Sequence, residues 1–396
     1  MAKLPGMRKT PASEANTETR GQPSPPPTTE PSVDELGEAQ ALLQAGKVDK
    51  AANAFQKIRS RDANLEAHIG LIQDCQRRLE WGEGLQEAEV ALTGFPDSAA
   101  LAALKGELLL ALNRMDEAEV LYASIKEKFP RNVVGFAGLA TVASRRRDWK
   151  KASSRWQDCL KRFPDHSSVP GWRTSLANAL LELGRLDEAE AEFIALRESY
   201  PTRVEGFAGV ARCANRKRDF EESLVRWQEC LDRFPDHASA PNWRAQLGNA
   251  FLELGRLEEA EGVFMALRES DPMRPEGFEG IARCANRKRD FEESLVRWQE
   301  CLDRFPGHSN VPTWRAQLGT ALLELGRIDE AEAVFAALHE SEPTRPEGFE
   351  GMARCAHRSG DFERAWKRWQ ECIDRFPTHP GVSNWRARHN ECADRV

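Results

Sequence analysis

The chain has no apolar run that approaches the roughly 18 residues of a membrane-spanning helix. Residues 1–32 also have no apolar core of the kind that a standard secretory signal contains. From these two absences we expect a protein without a membrane span. Cysteines that stay reduced, which the repeat pattern favours, would fit a cytoplasmic setting.

Motifs for catalysis and nucleotide binding are missing as well. The sequence contains no glycine-rich phosphate loop, no H-E-x-x-H zinc motif, no G-x-S-x-G nucleophile turn and no C-x2-C pair. Its net charge of −7 argues against a general nucleic-acid binder, because such proteins present a basic surface. We predict a protein that is not an enzyme, that needs no metal or cofactor, and that does not favour nucleic acid.

The chain does contain a strong internal repeat. Four tryptophans recur every 71 residues, at Trp172, Trp243, Trp314 and Trp385. Residues 205–235 and 276–306 differ at only two positions. A fixed period of this strength indicates stacked structural units that share one continuous core, rather than separate globular domains.

Prolines divide each 71-residue unit into modules of 34 and 37 residues. They stand at Pro96, Pro130, Pro164, Pro201, Pro235, Pro272, Pro306, Pro343 and Pro377. Between Trp243 and Pro272, apolar side chains recur every three to four residues in two runs, which predicts two amphipathic helices. Gly255 lies between the runs and predicts a helix stop, because glycine adopts the left-handed conformation without a Cβ penalty.

Aspartates are predicted to cap the second helix of alternate modules. They stand at Asp148, Asp219, Asp290 and Asp361. Glu222 and Glu293 follow two of these aspartates by three residues, which predicts reciprocal capping boxes.

The modules resemble the tetratricopeptide repeat, a helix-turn-helix of about 34 residues. One module carries the family pattern at Leu247, Gly248, Phe251, Ala260, Phe264 and Pro272. The resemblance implies an all-α fold, an α-α superhelix of about ten repeats over residues 33–379. The proline-rich residues 1–32 are predicted to be a disordered tail, either solubilising or a polyproline ligand. Residues 380–396 are expected to form a polar capping helix.

Seven cysteines recur at helix positions of the repeat. They are Cys159, Cys213, Cys230, Cys284, Cys301, Cys355 and Cys372. We interpret them as small buried apolar residues. A ladder of three disulfides, Cys213–Cys230 and its two copies, is the alternative. Val142 weakens that alternative, because it stands where Cys159 would need a cysteine.

Histidine and large aromatic residues also recur. The histidines are His166, His237, His308 and His379. They are predicted to be turn residues, because copies two modules apart are too distant to share a metal ion. The aromatic residues Trp156, Phe193, Trp227, Phe264, Trp298, Phe335 and Trp369 are expected in the core.

The family resemblance also implies a concave groove lined by the first helix of each module. The implied lining residues are Asn178, Arg212, Asn215, Arg216, Asn249, Arg283, Asn286, Arg287, Arg354, His357 and Arg358, with Thr320 in the place of Asn249. Asparagine amides offer a donor and an acceptor to a peptide backbone, and arginine pairs with carboxylate or phosphate. An extended acidic or phosphorylated segment would suit this lining. In the alternative, the arginines are merely solvated or pair with Glu182, Glu253 and Glu324.

These features predict a non-catalytic scaffold that binds a protein or peptide partner within a multi-protein complex. The Lys-Asn constellation that grips chaperone tails is missing, which argues against that class of partner. Two alternatives stay open. The modules are similar to bacterial-type repeats that precede glycosyltransferase and sulfotransferase domains, which suggests an accessory or targeting arm. A helical-repeat RNA binder would instead need a basic groove and steep salt dependence.

Overall fold

The computed structural model describes residues 33–61 and 64–396, and the tail expected at residues 1–32 lies outside them. The described residues form 21 α-helices and no β-strand, which confirms the all-α prediction. In chain order the helices are α1 (Val33–Gln44), α2 (Val48–Arg61), α3 (Leu65–Arg78), α4 (Trp81–Gly94), α5 (Ala99–Ala111), α6 (Met115–Lys128), α7 (Val133–Arg145), α8 (Trp149–Arg162), α9 (Val169–Glu182), α10 (Leu186–Ser199), α11 (Val204–Lys217), α12 (Phe220–Arg233), α13 (Ala240–Glu253), α14 (Leu257–Ser270), α15 (Pro275–Lys288), α16 (Phe291–Arg304), α17 (Val311–Glu324), α18 (Ile328–Ser341), α19 (Pro346–Arg358), α20 (Phe362–Arg375) and α21 (Val382–Ala393).

The chain divides into two compact units, Met1–Gly138 and Leu139–Val396. In the described part of the N-terminal unit, each helix from α1 to α6 packs against the next helix. In the C-terminal unit the same order of packing runs from α8 to α21. First helices of neighbouring modules also touch there, as α13 does with α15 and α17 with α19. Stacking of this kind is that of the predicted α-α superhelix.

The turn inside each helix pair uses the left-handed backbone conformation. Gly255 has a φ of 73°, which confirms its predicted role as a helix stop. The equivalent turns of alternate modules hold Arg218 and Arg289 at φ values of 62° and 61°. A side chain with a Cβ pays roughly 1–2 kcal/mol for this conformation. These two arginines therefore stand where glycine would be more stable.

The four aspartate caps are confirmed, whereas the reciprocal capping boxes are wrong. Asp148, Asp219, Asp290 and Asp361 each accept the backbone N–H of the residue three positions on. The backbone N–H of Asp219 already donates to the carbonyl of Ala214 at 3.0 Å. The Glu222 carboxylate accepts from Arg226 at 2.7 Å instead, and Glu293 makes the equivalent bond.

The regularly spaced aromatic residues form the core, as predicted. Trp156, Phe193, Trp227, Phe264, Trp298, Phe335 and Trp369 are all buried. The ring of Phe264 lies between Gly248 of α13 and Gly280 of α15. A Cβ would fall 2.6 Å from the ring at Gly248 and 2.1 Å from it at Gly280. Glycine at these places lets two first helices approach the same ring.

The repeat cysteines are buried, which confirms their apolar interpretation. Cys213 and Cys230 are free thiols, and the two copies of this pair are also free, so the disulfide alternative is wrong. Burial raises the pKa of Cys230 and of Cys301 to about 12, because desolvation disfavours the thiolate. A thiol with so high a pKa is a poor nucleophile near neutral pH.

The four repeat histidines are turn residues, as predicted. In each, Nδ1 accepts the backbone N–H two positions on, at 3.0–3.1 Å. The rings of His166, His237, His308 and His379 stack on the next tryptophan at centroid distances of 4.7–5.0 Å. Each imidazole therefore fixes its turn to the first helix of the following module.

The last helix, α21, packs against α20 and buries Trp385. Where other modules have Leu and Gly, α21 carries His389 and Asn390. The His389 ring lies 5.1 Å from that of Trp366, measured between centroids. This polar face suits a terminal helix, and its capping role stays a prediction.

Candidate functional site

Three open pockets follow one another along the first helices of the C-terminal unit. We name them by position. The front pocket surrounds Arg212 between α9 and α13, the middle pocket surrounds Arg283 between α15 and α17, and the rear pocket surrounds Arg354 between α17 and α21. Their cavity volumes are about 910, 610 and 470 Å³. Such open, shallow pockets suit an extended chain better than a small enclosed ligand.

Every groove residue predicted from the sequence lines one of these pockets. The front pocket holds Asn178, Arg212, Asn215, Arg216 and Asn249. The middle pocket holds Arg283, Asn286 and Arg287, and also Thr320. The rear pocket holds Arg354, His357 and Arg358. Side chains three and four positions apart share one face of a helix, so the spacing in the sequence brings each set together.

The leading arginine of each pocket bonds to the preceding module. Arg212 donates to the Asn178 amide oxygen at 3.0 Å, and Arg283 donates to that of Asn249 at 2.7 Å. The Arg354 guanidinium lies 3.5 Å from the Thr320 hydroxyl and 3.4 Å from the Glu324 carboxylate. The side chains that line the pockets are therefore linked by hydrogen bonds from one first helix to the next, and we call this linked surface the wall.

The second arginine of each pocket pairs with a glutamate, as the alternative interpretation of these residues expected. The N–O distances are 3.3 Å for Arg216–Glu182, 3.5 Å for Arg287–Glu253 and 2.8 Å for Arg358–Glu324. These arginines are half or more exposed, and exposed pairs contribute only about 0–1 kcal/mol. A ligand carboxylate can therefore replace the glutamate at small cost.

Two of the predicted asparagines are occupied by internal bonds. The Asn215 amide donates to Gln246 at 2.9 Å and accepts the Ser223 hydroxyl at 2.7 Å. Asn286 makes the same two bonds, to Gln317 and Ser294. These amides help to shape the wall. They are less able to grip a peptide backbone than the sequence alone suggested.

His357 takes the place of these asparagines in the rear pocket. Its Nδ1 lies 3.4 Å from Sγ of Cys392, and its Nε2 lies 3.8 Å from the Glu391 carboxylate. Cys392 is buried, and desolvation raises the pKa of its thiol. The thiol is therefore suited to hydrogen bonding with the imidazole and not to attack on a substrate.

Several pocket residues were not predicted from the sequence. They are Arg218 and Arg289 in the turns, Gln246 and Gln317, and the indoles of Trp227, Trp298 and Trp369. The Arg218 guanidinium lies over the Phe220 ring at 6.0 Å, which holds it beside the front pocket. The recurrence of these residues every 71 positions could have drawn attention to them. Recurrence does not show, however, whether their side chains point into a pocket.

The pockets are more basic than the chain as a whole. Nine arginines line them against six glutamates, although the net charge of the chain is −7. The pKa of Arg212 is lowered, because neighbouring atoms partly desolvate its guanidinium and because Arg216 lies nearby, although the side chain as a whole is exposed to solvent. The excess of arginine gives these pockets a positive local charge within an acidic chain.

Replacing Arg218 by glycine should raise the free energy of unfolding by about 1 kcal/mol, because glycine adopts a positive φ without strain. The reverse change, Gly255→Arg, places the same side chain in the equivalent turn of another module and should cost a similar amount. Urea denaturation monitored by circular dichroism measures both. A loss of stability in Arg218→Gly would show that the arginine contributes more to folding than its backbone strain costs.

Within residues 33–61 and 64–396, no three histidine, cysteine, aspartate or glutamate side chains gather as a metal site would require. In the same part of the chain, every helix is too short or too polar to cross a membrane.

Two curated proteins are similar to this chain in sequence. "Protein CTR9 homolog" of Arabidopsis thaliana is 24% identical over 270 residues, which are 66% of this chain and 24% of that protein. "RNA polymerase-associated protein CTR9" of Caenorhabditis elegans is 19% identical over 237 residues, 58% of this chain and 20% of that protein. The chain thus spans no more than 24% of the length of these two relatives.

A solved structure supports the fold. The crystal structure of a tetratricopeptide repeat protein from Parabacteroides merdae superposes with a TM-score of 0.52 at 13% identity, over 68% of this chain and 98% of that one. The model of the tetratricopeptide repeat family matches residues 138–203, 174–238, 245–308 and 316–389, more than half of the sequence. Taken with the paired helices and the glycine-flanked aromatic core, this match shows that the chain belongs to the tetratricopeptide repeat family.

Proposed function

We propose that this chain is a protein-interaction scaffold that holds an extended acidic segment of a partner protein along the first helices of its C-terminal unit. One observation carries the proposal. Three successive pockets in an acidic chain are lined by nine arginines and six glutamates, on helices that stack side by side. A stacked repeat array presents a long surface of this kind without any reaction centre.

The internal pairing of the arginines is compatible with this function. Arg216 and Arg287 exchange one exposed carboxylate for another when an acidic ligand arrives, so little binding energy is lost. Arg212 and Arg283 donate to neutral amides, and a carboxylate is a stronger acceptor than an amide oxygen. The ligand therefore gains charge-assisted hydrogen bonds at the leading arginines.

The curated relatives favour membership in a larger assembly. The Caenorhabditis elegans relative is named as RNA polymerase-associated. By analogy, we propose that the partner of this chain belongs to a multi-protein complex, with transcription as the first setting to examine. The cytoplasmic setting and the role as an arm of a transferase system stay predictions.

Charge reversal tests the groove directly. In the triple variant Arg212→Glu, Arg283→Glu and Arg354→Glu, each pocket loses its leading cation and gains a repulsive carboxylate. Binding of a fluorescein-labelled poly-glutamate peptide, followed by anisotropy, should weaken by about 100-fold or more, since each hydrogen bond to a charged group is worth about 1.5–3 kcal/mol.

A matched control exists in the second helices. Arg226, Arg297 and Arg368 also recur every 71 residues, and among the described residues their ion pairs are with glutamates of their own helices. Reversing the charge of these three arginines makes the same change in net charge and should alter binding by less than about threefold. If net charge alone governed binding, the two triple variants would lose affinity equally. Equal losses in the two triple variants, or no loss in the groove variant, would contradict the proposal. Tighter binding of a single-stranded RNA than of the acidic peptide would favour the RNA-binding alternative.

A further inference from the structure

The middle pocket has side-chain N–H groups beyond those that its own residues use. Among the described residues that line it, Glu279, Asn286, Thr313, Gln317, Thr320 and Glu324 each already accept a hydrogen bond. Arg283 has five N–H groups and donates one of them to Asn249. A ligand that brings acceptors can therefore bond to the remaining N–H groups of Arg283.

Each pocket also contains a tryptophan whose indole N–H has no acceptor among the described residues. These are Trp227 in the front pocket, Trp298 in the middle pocket and Trp369 in the rear pocket. All three side chains are buried, with at most 3% of the residue surface exposed. A buried donor without an acceptor destabilises a protein, so each of these indoles needs an acceptor from outside the described residues, either a water molecule or a ligand atom.

The first copy of this position shows what is missing. The indole N–H of Trp156 donates to the Ser144 hydroxyl at 3.0 Å. In the later copies Asn215, Asn286 and His357 stand in the place of Ser144. The Asn215 and Asn286 amide oxygens accept the hydroxyls of Ser223 and Ser294 instead, and His357 Nδ1 lies 3.4 Å from Sγ of Cys392. With Ser144 replaced, the indole N–H of each pocket loses this acceptor and lies beside a side chain that a ligand could displace.

The spacing of the pockets sets the spacing of the ligand groups. The leading arginines lie on α11, α15 and α19, and one first helix separates each from the next. Packed helices are about 8–10 Å apart, so neighbouring pockets are about 16–20 Å apart. An extended chain advances about 3.3–3.6 Å per residue, and five to six residues, roughly, cover that distance.

We infer that the three pockets form a ladder of equivalent anion sites that recognises one protein segment with a negatively charged side chain about every five to six residues. Two arginines of each pocket take the charged group. One of its oxygens, entering beside the asparagine or histidine, accepts the indole N–H. This inference rests on the proposed function and adds a register to it, which is the spacing of negative charges along the bound segment.

Isomeric peptides test the register. Each peptide has about 20 residues, a glycine-serine background and the same three acidic groups, either about six residues apart or adjacent to one another. Separate arms use glutamate pairs and phosphoserines, to distinguish carboxylate from phosphate. The spaced isomer should bind the full chain about tenfold tighter or more, because simultaneous engagement of linked sites raises affinity well beyond that of a single site.

Nuclear magnetic resonance of the ¹⁵N-labelled indole groups reports on the donors themselves. The chain has 11 tryptophans, and single Trp→Phe variants assign the signals of Trp227, Trp298 and Trp369. The spaced peptide should move these three signals downfield and leave that of Trp156 in place, since that indole already has an acceptor.

Equal affinity of the two isomers, or unmoved indole signals, would overturn the ladder. Suppose that both isomers bind equally and that the variant with Arg212, Arg283 and Arg354 changed to glutamate binds neither. The proposed function then holds, but the spacing rule is wrong. If neither isomer binds, the proposed function fails as well.

Discussion

Replacing Trp298 by alanine is expected to lower the free energy of unfolding by about 3–5 kcal/mol. The side chain is 1% exposed and packs in a buried cluster with Phe278, Trp314 and Leu318. Its removal takes contacts from α15, α16 and α17 together, because the indole lies where these helices meet. In a stacked array each module depends on its neighbours, so the loss weakens the adjoining modules as well. Guanidinium denaturation monitored by circular dichroism measures the change.

Trp366 provides a control of the same residue type. It is 36% exposed on α20 and contacts His389, so Trp366→Ala should cost less than half as much as Trp298→Ala. Amide hydrogen exchange should also show faster opening of α15 to α18 in Trp298→Ala, with the helices of the N-terminal unit unchanged. Similar losses in the two variants would contradict the assignment of Trp298 to the core.

Replacing Gly280 by alanine is expected to destabilise the protein by about 3 kcal/mol, which is large for a single added methyl group. The new Cβ would fall 2.1 Å from the Phe264 ring. The ring cannot withdraw, because Gly248 of α13 lies against its other side. The strain must therefore separate α15 from α14, and the midpoint of urea denaturation should fall accordingly.

Two further variants isolate this effect. Gly262 lies in the middle of α14 with no atom within 4 Å of a Cβ, so Gly262→Ala should stabilise the helix by about 1 kcal/mol. Adding Phe264→Leu to Gly280→Ala shrinks the obstructing side chain and should restore part of the lost stability. A destabilised Gly262→Ala, or a double variant weaker than either single one, would show that ring contact is not the cause.

Features that depend on local chain chemistry could be predicted from the sequence. The left-handed turn at Gly255 and the cap at Asp219 follow from what glycine and aspartate do at helix ends. The groove residues were implied by the resemblance to the tetratricopeptide repeat family, and their spacing of three and four positions places each set on one helix face. All of these rest on spacing within one module, where periodicity leaves little choice.

Features that depend on competition between distant groups could not be predicted. The Glu222 capping box failed because Ala214 had already taken the backbone N–H of Asp219. The Asn215 amide is held by Ser223 and by Gln246, which belong to two other helices. Sequence spacing places such side chains near one another, but it does not decide which donor meets which acceptor. The unpaired indoles arise from the same kind of competition.

The measurement that tests the central claim most directly is amide hydrogen exchange of the full chain with and without the spaced acidic peptide. If the first helices of the C-terminal unit form the binding surface, exchange should slow in α11, α15 and α19. The second helices α12, α16 and α20, which meet the pockets through buried indoles, should slow less. Slowing confined to those second helices would contradict the account, because it would place the ligand on the surface that carries the control arginines.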